Sequence, residues 1–375
     1  MDRECGIKKW MDPASEPKYT SFPVHGRDVV TCLLIDDERI ITGSDDHTIA
    51  IHDIHTGQLR TKLEGHNGGV WALDIINGNR IVSGSTDRTV RVWKIEQERC
   101  THVFYGHTST VRCIEILHPS QVTDSETTEV EMVPKEPLIV TGSRDHTLGV
   151  WRIPNEKDDD YIPGDLEEGV ANPFFVRRLL GHTHMVRQIS CHGETIVSGS
   201  YDKTVRVWDT STGECRWVFT GHKERVYSVV LDPKYNRCIS GSMDSSVKMW
   251  CLDTGSLLLS LDAHTSLVGL LDLSPSTLVS AAADGLLIVW KRDTGELLHI
   301  LEGHRGAITC FYNDDDKVVS GSERTLRLWN VHTGELVRNL LDDVNGIWQV
   351  KFDACRCIAA TKRGKNTYIE VIDFN

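Results

Sequence analysis

Along the whole chain, short apolar and β-branched runs of four to six residues alternate with turns rich in Gly, Ser, Asp and Asn. That pattern predicts short strands rather than amphipathic helices. The stretch VWALDI, RIVSGS, TVRVWK, CTHVFY reads as four strands in a row, and the same grouping recurs. A Gly-His pair or near equivalent ends each group, at His25, His66, His107, His182, His222, His264 and His304. A Trp follows a strand pair later, at Trp93, Trp151, Trp208, Trp250, Trp290 and Trp329, with His52 in that slot of the first group. From this slot to the next histidine is 14 residues in every interval but the one from Trp151 to His182. After Trp329 the strand-like IWQVKF, CIAAT and YIEVIDF make a degenerate eighth group of three strands. Its fourth is expected from KYTSFPV, near the N-terminus, which would leave no open sheet edge.

A period of about 40 residues with four strands, a GH and a Trp is the signature of WD repeats, which close radially into a β-propeller. The fold class predicted is therefore all-β: an eight-bladed WD-repeat β-propeller, its ring closed by an N-terminal strand. Length alone, 375 residues at about 150 per domain, would suggest two or three domains. The repeat instead predicts a lead segment at 1–17 and a single propeller at 18–375. Two acidic inserts break the period, at 118–136 and 153–176, and carry ten of the thirteen net negative charges. Both fall between first and second or third and fourth strands, at the ends opposite the GH turns, and their polar, Pro-containing composition predicts flexible loops.

Charge and composition then narrow the function. A net charge of −13 argues against a protein that neutralises nucleic-acid phosphates over a broad surface. No apolar run approaches the roughly 18 residues of a membrane span, and the N-terminus lacks the apolar stretch of a signal peptide. Neither nucleic acid nor membrane is expected as a partner, and a nuclear or cytoplasmic location is. The 11 cysteines include no CxxC pair and read as free thiols inside repeated strands; Cys355 and Cys357 form a lone C-x-C. No metal or cofactor is expected.

His, Ser or Thr, and Asp recur together and invite a hydrolase reading. His66, Ser83, Asp87 and Trp93 return as His107, Thr141, Asp145, Trp151, as His182, Ser198, Asp202, Trp208, and in at least two further blades. A catalytic constellation is needed once, whereas a hydrogen-bond chain that satisfies buried groups is needed in every blade. The reading is a structural tetrad and no enzyme. Blade seven, SGSERTLRLW, is one residue short and lacks the Asp, so its turn is expected to be loose.

Since the repeat holds the fold constant, function is sought in slots where the blades disagree. Five residues after each His stand Val30, Trp71, Arg112, Arg187, Tyr227, Gly269 and Thr309, each preceded by a β-branched residue. Flanking the tetrad Asp are Thr86 and Arg88, Arg144 and His146, Tyr201 and Lys203 in blades two to four. With Ser109 and Thr110 these residues gather Arg112, Arg144 and Arg187 among aromatics at one mouth. Guanidinium forks match phosphate oxygens, so the inferred ligand is a phosphorylated peptide.

The segments GGVWALD, SGSTDRTVRVW, HTSTVRC, TGSRDHTLGVW, SGSYDKTVRVW and the ending IEVIDF resemble the fungal cell-division-control F-box/WD-repeat proteins over residues 23–375. That family supplies substrate receptors of SCF ubiquitin ligases that read phosphorylated degrons. The resemblance implies phosphate-binding roles for Arg112, Arg144 and Arg187, a further basic contact at Arg88, and walls formed by Trp71, Thr86, Thr110, Tyr201, Tyr227 and Trp348. His47 stands where fungal relatives can have Lys. It also implies Ser/Thr-phosphorylated protein substrates and a place in cell-cycle-linked degradation. The family's F-box should precede the propeller, and GIKKWMDPASEP is too short to be one, so contact with the SCF adaptor is expected only if an F-box lies upstream. The alternative is a general WD-repeat scaffold that binds an unmodified partner.

Overall fold

The computed structural model describes residues 9–12, 14–123, 130–163 and 172–375. It contains eight four-stranded antiparallel sheets, the blades of an eight-bladed β-propeller. Blade two shows why the repeat folds as it does. Its strands Val70–Asn77, Arg80–Ser85, Val90–Lys94 and Arg99–Phe104 are each short and joined by tight turns. Ile81 lies opposite Trp93 and Val82 opposite Val92, so both faces of the central strands bury apolar side chains.

The chain forms two compact units. The unit of residues 63–242 and 248–260 carries blades two, three and four and most of blade five. Here Val82, Val90, Val92 and Phe104 of blade two pack on Val111, Ile139 and Trp151 of blade three, and equivalent clusters join the following sheets. The second unit, residues 1–62, 243–247 and 261–375, carries blades one, six, seven and eight. In blade eight, Gly346–Phe352, Arg356–Arg363 and Asn366–Asp373 receive their fourth strand from Lys18–Pro23, which pairs antiparallel with the last strand from Lys18 opposite Asp373 to Pro23 opposite Tyr368. This is the strand that KYTSFPV predicts.

The lead segment is anchored to the same sheet. Trp10 is fully buried, stacks on Phe374 with ring centroids 4.2 Å apart, and donates its indole N–H to the Ala354 carbonyl at 2.9 Å.

The inserts are more ordered than their composition predicts. Ser120–Thr123 and Val130–Val133 pair as a hairpin, while 124–129 lie outside the described residues. In the second insert Tyr161 exchanges backbone hydrogen bonds with the edge strand of blade two, donating to Thr101 at 2.9 Å and accepting from Val103 at 2.8 Å. Asp160 pairs with Arg99, and Asp158 with Arg152 at 2.8 Å. Residues 164–171 lie outside the described part.

Candidate functional site: a cationic pocket on blades two to five

The tetrad and the variable slots separate cleanly. In blade four the Trp208 indole N–H donates to Ser198 Oγ at 2.9 Å, Ser198 lies 2.8 Å from His182 Nε2, and His182 Nδ1 lies 2.7 Å from Asp202. The same chain runs through His66, His107 and His264, with distances between 2.7 and 3.1 Å. Every one of these hydroxyls is fully buried, so no substrate reaches it. Burial alone would raise the pKa of Asp87, Asp145 and Asp202, but hydrogen bonds from the histidine and from Thr89, Thr147 or Thr204 outweigh it, and each carboxylate is held far below its usual range. These are structural networks. Blade seven closes its shortened turn differently from expectation: Thr325 Oγ1 takes the missing carboxylate's place, 3.0 Å from His304 Nδ1.

The slot that follows the β-branched residue has a specific backbone geometry. Register skips one residue of the inner strand, a β-bulge, at Trp71, Arg112, Arg187, Tyr227, Gly269 and Trp348. A bulge bends the strand and re-aims the extra side chain. Blade one corrects the spacing argument: its bulge is at Thr31, while Val30 fills the buried β-branched position, because the loop after His25 is one residue longer.

A second device brings the turn residues to the same place. The backbone N–H of Thr86 bonds the Gly69 carbonyl at 2.9 Å, Arg144 that of Thr110 at 2.9 Å, and Tyr201 that of Met185 at 3.1 Å. Each ties the turn before the tetrad Asp to the entry of the inner strand. The residue after that Asp is left-handed in every blade with a full turn: His47, Arg88, His146, Lys203, Ser245 and Gly285 have φ between 67° and 82°. Only blade six relieves the strain with glycine. A non-glycine residue there costs on the order of 1 kcal/mol and points to a use for the side chain.

Together these devices build a pocket of about 450 Å³ lined by Trp71, Thr86, Thr110, Arg112, Arg144, His184, Met185, Tyr201 and Arg225. Three of these are arginines, and none of the lining groups among the described residues is a carboxylate. The cations rest on aromatic faces: Arg112 lies 4.8 Å from the Trp71 ring centroid and Arg225 5.0 Å from that of Tyr201. Arg187 adjoins the pocket through Tyr201, with its guanidinium 5.8 Å from the Tyr227 ring and the two tyrosine rings 4.9 Å apart. Burial and the contact with Tyr227 raise the Tyr201 pKa, against the pull of Arg187, so its phenol stays a donor.

Of the residues singled out in sequence, Trp71, Thr86, Thr110, Arg112, Arg144 and Tyr201 line this pocket, and Arg187 and Tyr227 support its wall. Arg88 lines an adjoining cavity of about 460 Å³ with Thr86, Asp87, Tyr105, Gly106 and His107. Trp348 belongs to the other unit, where it packs on the cluster of Val24, Val30, Leu33 and Ile369. Sequence reasoning missed His184, Met185 and Arg225. A signal was present: Met185 and Arg225 hold the slot before the β-branched residue that Thr110 holds in blade three.

The model of the WD domain, G-beta repeat family matches residues 16–53, 57–94, 98–152, 174–209, 213–251 and 295–330. Among curated proteins, the chain is 51% identical to "Cell division control protein 4" of Candida albicans over its whole length, covering 55% of that protein. It is 46% identical to "WD repeat-containing protein pop2" of Schizosaccharomyces pombe and 39% to "Cell division control protein 4" of Saccharomyces cerevisiae, over 98% of the chain in each case and 52% and 49% of those proteins. The chain thus spans about half the length of the curated relatives it matches. The crystal structure of the computationally designed Ika8 protein superposes with a TM-score of 0.73 at 28% identity, over 92% of this chain and 98% of that one.

Proposed function

From the premise that this chain belongs to the WD-repeat family, as a propeller of the fungal cell-division-control type, we propose that it is a phosphodegron-binding substrate-recognition module. It captures Ser/Thr-phosphorylated segments of other proteins and presents them for ubiquitylation by an SCF-type ligase. One observation carries the reading: Arg112, Arg144 and Arg225 line a single pocket whose lining, among the described residues, includes no aspartate or glutamate. Thr86, Thr110 and Tyr201 add hydroxyl donors, and Trp71 and Met185 an apolar wall for a flanking side chain.

Each charge-assisted hydrogen bond contributes roughly 1.5–3 kcal/mol, so a phosphate held by several arginines accounts for much of the roughly 8 kcal/mol of a micromolar complex. Replacing Arg144, which is exposed and makes no tetrad contact, should weaken binding about 10- to 150-fold. The test is retention of a synthetic peptide library carrying one fixed phosphothreonine against the same library with threonine, followed by fluorescence anisotropy of the selected sequence. Phosphate-dependent retention that Arg144→Ala abolishes, with an unchanged melting temperature, supports the reading. Equal retention of both libraries refutes it in favour of a scaffold for unmodified partners.

A further inference from the structure

We propose that blade seven carries a carboxylate-binding site in the gap left by its shortened turn. The ligand is a monocarboxylate, either a small free acid or an acidic side chain of a partner. The site shares no residue with the pocket on blades two to five and does not rest on the phosphopeptide reading.

The full blades show what the tetrad aspartate does besides holding its histidine. Asp87 accepts the Asn67 backbone N–H on one oxygen and the Thr89 backbone N–H on the other, both at 2.9 Å, with the Thr89 hydroxyl at 2.6 Å. Asp145 does the same for Thr108 and Thr147, and Asp202 for Thr183 and Thr204, all between 2.6 and 3.0 Å. Against burial, the hydrogen bonds to each carboxylate keep it ionised. The loop after the histidine and the turn between the central strands thus form a carboxylate cradle in each of these blades.

Blade seven runs from Ser320 through Gly321, Ser322, Glu323 and Arg324 to Thr325, one residue short, and supplies no aspartate. The rest of the arrangement stays. Thr325 Oγ1 lies 3.0 Å from His304 Nδ1, against 3.2–3.4 Å for the equivalent threonines of blades one to four. Ser320 still joins His304 to the Trp329 indole. The two sides of the gap have therefore kept their places. Thr325 satisfies the imidazole, but the amides that a carboxylate takes in the other blades, here Arg305 N–H and Thr325 N–H, meet no acceptor among the described residues. Both residues line a cavity of about 490 Å³ whose wall also carries Arg324 and Arg327. Two amides and nearby guanidinium groups suit the two oxygens of a carboxylate.

Charge selects among anions. The three arginines are balanced in this cavity by Glu323, Asp342 and Asp343. A phosphate, with a charge of about −1.5 to −2, meets repulsion from all three acids, whereas a carboxylate brings a single charge.

The experiment titrates the nitrogen-15-labelled chain with sodium acetate, sodium chloride and sodium phosphate at constant ionic strength, following the amide signals of Arg305 and Thr325 by NMR. Acetate is expected to shift both along one saturating curve, at a concentration about tenfold below that needed with chloride or phosphate, the effect of one charge-assisted hydrogen bond. A variant with one aspartate inserted between Glu323 and Arg324 supplies the carboxylate from within, and its response to acetate should vanish. Should that variant fail to fold, Arg305→Ala combined with Arg324→Ala keeps the turn length and should raise the half-saturating acetate concentration about tenfold. A second arm passes a random peptide library over the wild type and the folded variant. Asp or Glu enriched on the wild type alone identifies an acidic side chain as the occupant; no such enrichment, with the acetate response intact, identifies a small free acid. The proposal is overturned if acetate moves neither amide, if chloride or phosphate acts as strongly, or if the response survives unchanged in the folded variant.

Discussion

Blade one breaks the tetrad by placing His52 where six other blades have tryptophan, and acid should find this fault. His52 is buried, its ring packs at a tilt of 34° against Phe22 with centroids 4.9 Å apart, and its Nδ1 has no hydrogen-bond partner among the described residues. Burial, with a smaller contribution from His25, pushes its pKa down to about 4 from the ordinary 6.5. The folded state therefore binds the proton later than the unfolded chain. Stability from this group is complete above pH 6.5 and is lost as pH falls from 6.5 towards 4, levelling below that. At pH 5 the loss works out at about 2 kcal/mol relative to neutral pH. Phenylalanine has nearly the same shape, keeps the contact with Phe22 and carries no nitrogen to leave unpaired. His52→Phe should match or exceed wild-type stability at pH 7.5, and its decline between pH 7 and pH 5 should be about 2 kcal/mol shallower. The assay is urea unfolding followed by tryptophan fluorescence across that pH range, with amide hydrogen exchange of Arg39–Ser44 and Ile49–Asp53 to localise the effect. His304, also at about 4 through burial and Arg327, supplies a residual slope in both proteins. An unchanged pH slope in His52→Phe would refute the reasoning.

Other consequences can be checked with the same instruments. Ser198→Ala removes the hydroxyl that links the buried Trp208 N–H to His182; stability should fall by about 2–3 kcal/mol in urea with phosphopeptide affinity unchanged, whereas lost affinity at full stability would give the tetrad a direct role. Trp10→Ala empties a fully buried site between Phe352 and Phe374; the expected cost is about 3–5 kcal/mol, and a loss below 1 kcal/mol would mean that the lead segment is not an anchor. Lys203→Gly relieves a φ of 74° and gives up two exposed contacts of Nζ, a 2.8 Å hydrogen bond to the Lys223 carbonyl and a 3.4 Å pair with Glu224; it should raise the unfolding free energy by up to about 1 kcal/mol, and destabilisation would refute the strain argument.

The blades are legible in sequence because seven share a turn histidine and a buried hydroxyl and six of those an indole, at nearly fixed spacing, and so many repetitions leave little room for another fold. Legibility fails where that demand lapses. Val29 and Val30 are both valine, so nothing in the pattern marks which of them is packed, and the slot in blade one is misread by one residue. Trp10 lies outside the repeat, and its burial depends on Phe352 and Phe374 at the far end of the chain. The strands of the first insert are only four residues each, too short to stand out, and Tyr161 joins blade two through backbone groups that sequence does not display. His184 and Arg225 sit in the Gly-His loops, where only length is constrained; their side chains become informative once the turns of neighbouring blades are seen beside them.

The same repeat separates what stabilises the molecule from what it can bind. The tetrad hydroxyls and indoles are buried and satisfied, so their identity is tied to the blade. The bulge residue is not fixed in this way: Thr31, Trp71, Arg112, Arg187, Tyr227, Gly269 and Trp348 all occupy it, from no side chain to the largest. A position that accepts five residue types, from glycine to tryptophan, with the same skip in register is one where chemistry can be chosen for a ligand. In blades two to five the choices are Trp71, Arg112, Arg187 and Tyr227, two cations flanked by two aromatics, and the structure shows why that suits clustered arginines. Like charges repel, but Arg112 on Trp71 and Arg187 on Tyr227 each gain from the ring face beneath them, roughly 0.5–1 kcal/mol for a partly exposed pair. The rings offset part of the repulsion and orient the guanidinium planes, leaving the N–H forks in place before any anion arrives.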